Sequence, residues 1–416
     1  MMPKTEALVT ADGRPLKQAL AEAQSRARRR AFLLVAPLLV FILLTFVFPI
    51  GQMLYRSIYN PAFSANMPAL VEWFNEHPEG AAIDETAYAA LAADLKLAKA
   101  NRSAGNAGTR VNYDLSGTRS LFTSTARDAD KLEPPFKEAI LAANTDWENP
   151  LLWQVMRDAS SPYTLNFYVA ALDLAKDADG NLIRVDEKQR IYVLLFLRTM
   201  MLSALITGLC LLLAYPVAHL LAVLPLRTSN LLMIFVLLPF WTSLLVRTTS
   251  WIVLLQSEGV VNNILVTLGL VGNTERIQMI YNQTGTIIAM THILLPFMVL
   301  PLYSVMRPIP PSYVRAARSL GASSWTAFRR IYLPQTMPGI GAGALLVFIL
   351  AVGYYITPAL VGGADGQLIS NLIAFHMQKS LNWSLAAALA ALLLVGVLIL
   401  YWLYDRLIGI DNLKLG

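Results

Sequence analysis

The sequence predicts an all-α, polytopic membrane helix bundle of about six spanning helices with a folded polar insert, and three observations predict it. Of 416 residues, 56% are hydrophobic and only 14% charged, where an ordinary soluble domain carries about a quarter charged residues. The apolar residues fall into blocks long enough to cross a bilayer, which takes roughly 20 of them. Arginines gather beside the ends of those blocks, as in Arg26, Arg28, Arg29 and Arg30, which is how membrane chains mark their cytoplasmic side. The net charge of +6 therefore points to a membrane surface. Nucleic acid is excluded as a partner, because no basic patch is interleaved with aromatics.

Taken in order, residues 1–30 read as a polar cytoplasmic segment without a cleavage-type signal, followed by a retained first span over 31–54. The other spans are 192–222, 231–255, 284–305, 339–358 and 384–404, each bounded by charge, Pro, Gly or Asn, and 405–416 is a tail. An N-terminus on the cytoplasmic side places Arg227, the 306–337 loop, Arg406 and Lys414 there too. The 256–283 and 359–383 loops, nearly free of basic residues, then lie opposite. The 306–337 loop holds Arg307, Arg315, Arg318, Arg329 and Arg330 and no acid. Six spans put both termini on one side, in agreement with the charges.

Residues 55–191 differ in kind. Acids and bases occur together, several aromatics are present, and no block is long enough to span. Long loops translocate largely regardless of charge, so a folded extracytoplasmic insert is expected, with short amphipathic helices at Tyr88–Ala100 and Pro135–Ala143. Asp177-Ala178-Asp179-Gly180-Asn181 has its glycine misplaced for a calcium loop and lacks the distal Glu. An Asp-Gly turn between two short elements is the expectation. The single Cys210 rules out an intrachain disulfide.

The 312–334 stretch is the most informative. Pro310 and Pro311 stop the preceding helix, Ser312 can cap a new one, and 313–320 makes about two turns. Gly321 suits the left-handed residue that ends a helix. Ser323 or Ser324 caps a second short helix through Arg330, which Pro334 closes. Small residues at Ala316, Ala317, Gly321 and Ala322 would let another backbone approach closely. An amphipathic helix lying among lipid headgroups fits the composition equally well.

This stretch resembles the EAA loop of ABC importer permeases. Ala316-Ala317, three residues, Gly321, nine residues, then Ile331-Tyr332-Leu333-Pro334 matches the family spacing throughout, ahead of the penultimate span. The Glu of the pattern is Arg315, which removes the basis for any ion pair the family makes through that Glu. The resemblance implies a type I importer permease fold and a coupling helix that docks in a groove of the ATP-binding subunit. It assigns that contact to Arg315, Ala316, Ala317, Leu320, Gly321, Ala322, Ile331, Leu333 and Pro334. It also implies the partners: an ATP-binding subunit dimer that holds ATP and Mg, a second permease in a heterodimer, a periplasmic solute-binding protein, and the bilayer. No cofactor is implied for this chain itself.

Tyr215-Pro216-Val217-Ala218, Leu238-Pro239-Phe240-Trp241-Thr242, Val246-Arg247-Thr248 with Trp251, and Thr357-Pro358-Ala359-Leu360 with Gly362-Gly363 resemble permeases of the spermidine/putrescine type. That likeness covers the first span and everything from 192 onward; the insert has no counterpart in it. Along the expected substrate path lie Arg247, Thr248, Trp251, His292, Tyr354 and Tyr355. Arg247 either snorkels to the outer interface or sits beside the path. His292 either lines the pore or packs between helices through a hydrogen bond. Polyamine permeases often carry Asp at the Tyr354 position, and a cationic polyamine needs carboxylates or an aromatic cage. Trp251, Tyr354 and Tyr355 could supply the cage, or the partner permease could supply the acids.

No catalytic constellation, metal cluster or phosphate loop is present, and the four histidines are scattered, so the chain is expected to be no enzyme. A stand-alone secondary transporter is the alternative reading, but it favours intramembrane ionisable residues, which are scarce here.

Overall fold

The structure is a computed structural model that describes residues 16–177 and 180–408. Residues 1–15 of the N-terminal segment, residues 409–416 of the tail with Lys414, and Ala178 and Asp179 of the expected turn lie outside the described residues. Two compact units divide between Arg56 and Ser57.

In the first unit, helix Leu16–Ile42 runs through a π-helical turn, Leu43–Val47, into Phe48–Arg56. The turn has a proline as its cause. Pro49 lacks an N–H, and in a regular α-helix its ring would clash with the carbonyl four residues back, that of Thr45. Widening the turn, with Phe48 N–H donating to Leu43 O, moves that carbonyl aside. The apolar helix Ala23–Arg56 has 34 residues, about 51 Å at 1.5 Å per residue, so it begins ahead of the expected 31–54 and carries Arg26–Arg30.

The second unit opens with the insert, which has its own core. Helices Pro68–Glu76, Glu85–Ala100, Ala104–Asn112, Thr118–Arg127, Phe136–Ala143 and Pro150–Ser160 enclose Phe63, Leu70, Leu91, Phe122, Trp147 and Met156, all buried. The two helices expected in this region are present as Glu85–Ala100 and Phe136–Ala143. Asp84 caps Glu85–Ala100 by accepting from Thr86 and Ala87 N–H. Asp94 caps the neighbouring helix, accepting from Ala69 N–H at 3.0 Å and Leu70 N–H at 2.7 Å. Burial pushes the Asp94 carboxyl above its usual range, against the pull of those two donors. Trp147 packs on Phe122 with ring centroids 5.0 Å apart and planes tilted by 60°, and donates Nε1–H to Thr125 Oγ1 at 3.0 Å. Trp147→Ala is expected to destabilise the insert by about 3–5 kcal/mol, read as faster hydrogen exchange in its helices with no change in the spans.

The Asp177 turn joins two short antiparallel strands, Leu174–Lys176 and Leu182–Arg184. Asp177 Oδ1 accepts from Asn181 N–H at 2.8 Å, and Gly180 takes φ +81°.

Continuous spans follow at Tyr192–Val223, Gln283–Met306, Ser324–Gly353 and Trp383–Arg406. The remaining one corrects the expectation for 231–255. Leu226–Trp241 and Leu244–Thr267 are bent by 96° at the break between them, where Pro239 lies in a 3-10 turn and Ser243 starts a new helix by accepting from Val246 N–H. Cys210, Ala214 and Ala218 pack against Met290, Leu294 and Met298 and against Val347 and Ala351. A Cβ at Gly343 would lie 2.7 Å from Met298 Sδ, the close helix approach that small residues permit.

The insert and the 306–337 loop occupy opposite ends of this bundle. The Asp173 carboxylate accepts from the N–H groups of Ile191, Tyr192 and Val193 at 2.8–3.1 Å, capping the span that starts at Tyr192. Asn60 donates to Ser384 Oγ at 3.0 Å, and Phe167 and Ala171 pack on Leu385 and Leu389. At the other end, Arg307 donates to Ala222 O at 2.6 Å and Leu224 O at 2.9 Å.

Candidate functional site

Two groups of residues stand out, one at the Arg307 end and one at the break in the bent span. At the Arg307 end, helix Pro311–Ser319 starts on Pro311, with Pro310 at the cap position. Ser312 is not the cap, because Pro311, whose fixed φ suits the first helical position, already starts the helix and leaves Ser312 as its second residue. The helix stops in a Schellman motif: Ala322 N–H donates to Ala317 O at 3.1 Å and Gly321 N–H to Arg318 O at 3.0 Å. Gly321 takes φ +90°. Ser323, rather than Ser324, then caps Ser324–Ala327 by accepting from Thr326 N–H at 3.2 Å.

Pro334 does not close this second helix. The chain passes through a π-helical turn, Phe328–Tyr332, straight into Leu333–Gly353, so the span expected at 339–358 runs over Ser324–Gly353. The cause repeats that at Pro49. Arg330 is four residues before Pro334, and widening the turn, with Leu333 N–H donating to Phe328 O, clears its carbonyl from the ring.

The short helix presents its small residues outward. Leu320 is 90% exposed, Arg315, Ala316 and Gly321 are exposed, and Ala317 and Ala322 are half-buried. Ile331 and Leu333 are half-buried and Pro334 is exposed. Val314 and Phe328 turn inward, lining a cavity of about 920 Å³ with His219, Met306 and Tyr332. Tyr332 OH meets His219 Nδ1 at 2.9 Å. The helix is thus braced from behind, with an unpartnered face of Leu320 and small residues in front.

At the break, Arg247 is folded back onto its own chain. Nη2 donates to Pro239 O and to Thr242 O, the latter at 3.0 Å, replacing helical donors that the break removed. Thr248 Oγ1 lies 3.2 Å from Thr357 Oγ1, which ties this helix to Ile356–Val361. Trp251 Nε1–H donates to His292 Nδ1 at 3.1 Å, so His292 is a hydrogen-bonded residue between helices. Tyr354 packs against the bundle core, and its carbonyl accepts from Ser370 Oγ at 2.6 Å. The Tyr355 carbonyl accepts from Asn371 Nδ2 at 2.7 Å, and its side chain is exposed, outside the Arg247–Trp251–His292 group. Thr357 and Asp173 are contributions that no spacing in the sequence announces, because their partners are 109 and 18–20 residues away.

Residues 211–408 match the family described as "Binding-protein-dependent transport system inner membrane component". The Spermidine/putrescine transport system permease protein PotB of Escherichia coli (strain K12) is 37% identical over 222 residues, covering 53% of this chain and 80% of that protein. The Inner membrane ABC transporter permease protein YdcU of the same organism is 31% identical over 232 residues, covering 52% and 71%. A solved bacterial ABC transporter involved in alginate import is similar over 71% of this chain and 99% of that one, at TM-score 0.47 and 20% identity. The chain belongs to the binding-protein-dependent transport system inner membrane components and is a non-catalytic permease subunit of an ABC importer, in the spermidine/putrescine permease branch.

Proposed function

We propose that the chain pairs with a second permease subunit to import a small organic solute of polyamine type or a related amino-acid derivative, delivered by a periplasmic binding protein. The drive comes from an ATP-binding subunit dimer, which holds ATP and Mg and docks on helix Pro311–Ser319. What carries this reading is the exposed Leu320–Gly321 corner, braced by the Val314 and Phe328 side at the end of the bundle marked by Arg307, Arg315, Arg318, Arg329 and Arg330. That end is cytoplasmic in this reading, and the insert at the opposite end is periplasmic. Closure of the ATPase dimer on ATP binding shifts the bundle by differential affinity for its two arrangements. Co-purification of the ATPase with the tagged chain tests the docking, and absence of any ATPase in the complex overturns it.

The insert, in the same reading, extends the surface on which the binding protein docks. It is a folded body joined to the bundle through Asp173, Asn60 and Phe167. Deleting residues 60–185 is expected to remove binding-protein-dependent uptake while the ATPase still co-purifies. Uptake unchanged by the deletion would reject this role.

A further inference from the structure

The membrane core of this chain holds a fixed positive charge and no negative one. Between Tyr192 and Tyr404 the carboxylates are Glu258, Glu275 and Asp365, and all three stand in connections between helices. Arg247, in contrast, sits one turn inside helix Leu244–Leu255, at the 96° break. Its Nη2 is committed to two carbonyls, while Nε is buried with no hydrogen-bond partner. A buried, unpaired donor on a charged group is costly unless something else occupies it.

A second donor is fixed beside it. The indole N–H of Trp251 can only donate, so His292 Nδ1, 3.1 Å away, must accept. The neutral imidazole then carries its proton on Nε2. Arg247 and Trp251 are one turn apart on helix Leu244–Leu255, so they stand on one side of it, where Trp251 meets His292. The start of helix Leu244–Leu255 adds the partial positive charge of a helix N-terminus. Guanidinium, imidazole N–H and helix start all favour an anionic group, whereas a bare polycation would meet repulsion in a medium of low dielectric constant.

We infer that the Arg247–His292 region is an anion subsite, and that the transported solute carries a carboxylate or phosphonate in the same molecule as its amine. This inference rests on the permease reading above and narrows its solute class.

The test uses the full importer in proteoliposomes: this chain with its partner permease, its ATPase and its binding protein. The probes are putrescine, which has no anionic group, and γ-aminobutyrate and 2-aminoethylphosphonate, which have one. Uptake of a zwitterionic probe in preference to putrescine is expected. Arg247→Gln should raise its KM by about 10- to 100-fold, the size of a lost charge-assisted hydrogen bond. Arg247→Lys, which keeps the charge and loses the planar fork, should fall between the two. Preference for putrescine, uptake of neither zwitterion, or an unchanged KM in Arg247→Gln overturns the inference. Should Arg247→Gln not assemble, the KM of Arg247→Lys decides in the same way. Wild-type uptake that needs no ATP or no binding protein would instead overturn the permease reading, so the two failures are told apart.

Discussion

Gly321→Asp is expected to abolish solute uptake while the bundle still inserts and folds. Gly321 has φ +90°, and a Cβ there would meet nothing within 4 Å, so a side chain disturbs no packing. The left-handed conformation costs an L-residue roughly 1–2 kcal/mol, which the helix end can absorb by fraying. The larger effect is on the surface. Leu320 is 90% exposed beside this position, and Ala316 and Ala317 lie one turn back. Docking an ATPase on that face would bury an unpaired carboxylate, a change that costs about 3–5 kcal/mol when a charge is left without its partner. ATP-dependent uptake and co-purified ATPase measure the loss, and melting of the purified chain controls for folding. Normal uptake by this variant would remove the docking role from helix Pro311–Ser319.

Gly363→Ala is expected to destabilise the bundle itself. Gly363 has φ +55°, and an added Cβ would lie 2.2 Å from the carbonyl oxygen of Tyr281. Both neighbours are held by backbone: Tyr281 N–H donates to Val361 O at 2.8 Å and Gly366 N–H to Gly362 O at 2.8 Å. Thr286 Oγ1 donates to Gly366 O at 3.1 Å. Neither side can give way by a rotamer change, so overpacking of about 1–3 kcal/mol adds to the conformational strain. A loss of roughly 3 kcal/mol or more follows, visible as a lower melting temperature in detergent. Gly208→Ala, on an open helix surface with nothing within 4 Å of its Cβ, serves as the control and should be neutral or slightly stabilising. Equal melting of the two variants would mean that the 361–366 turn does not need its close approach.

Much of the architecture is legible in the chain because it depends on local patterns. The apolar blocks become Tyr192–Val223, Gln283–Met306 and Trp383–Arg406 with ends close to those expected. Gly321 takes the left-handed helix stop and Ser323 the cap, because both answer to the backbone of their own segment. Two prolines have opposite effects. Pro334 was expected to stop a helix and is carried within one by a π-helical turn, since a neighbouring turn can widen when packing favours continuation. Pro239 lies at a full break in a block whose hydropathy reads as one span, since hydropathy records transfer to lipid and not the direction of the axis.

The site divides along the same line. By itself the sequence determined the membrane class, the clustering of arginines at one set of helix ends and the spacing of the 315–334 loop, all set by composition and short-range backbone chemistry. Only the tertiary structure decided that Arg247 turns onto Pro239 and Thr242. Only there does Trp251 fix the tautomer of His292 across helices, and does Asp173 tie the insert to the span beginning at Tyr192. These contacts join groups whose positions are set by how helices pack and bend in three dimensions. An unsatisfied donor or helix end is answered by whichever acceptor packing brings near it, and no periodicity along the chain encodes that choice.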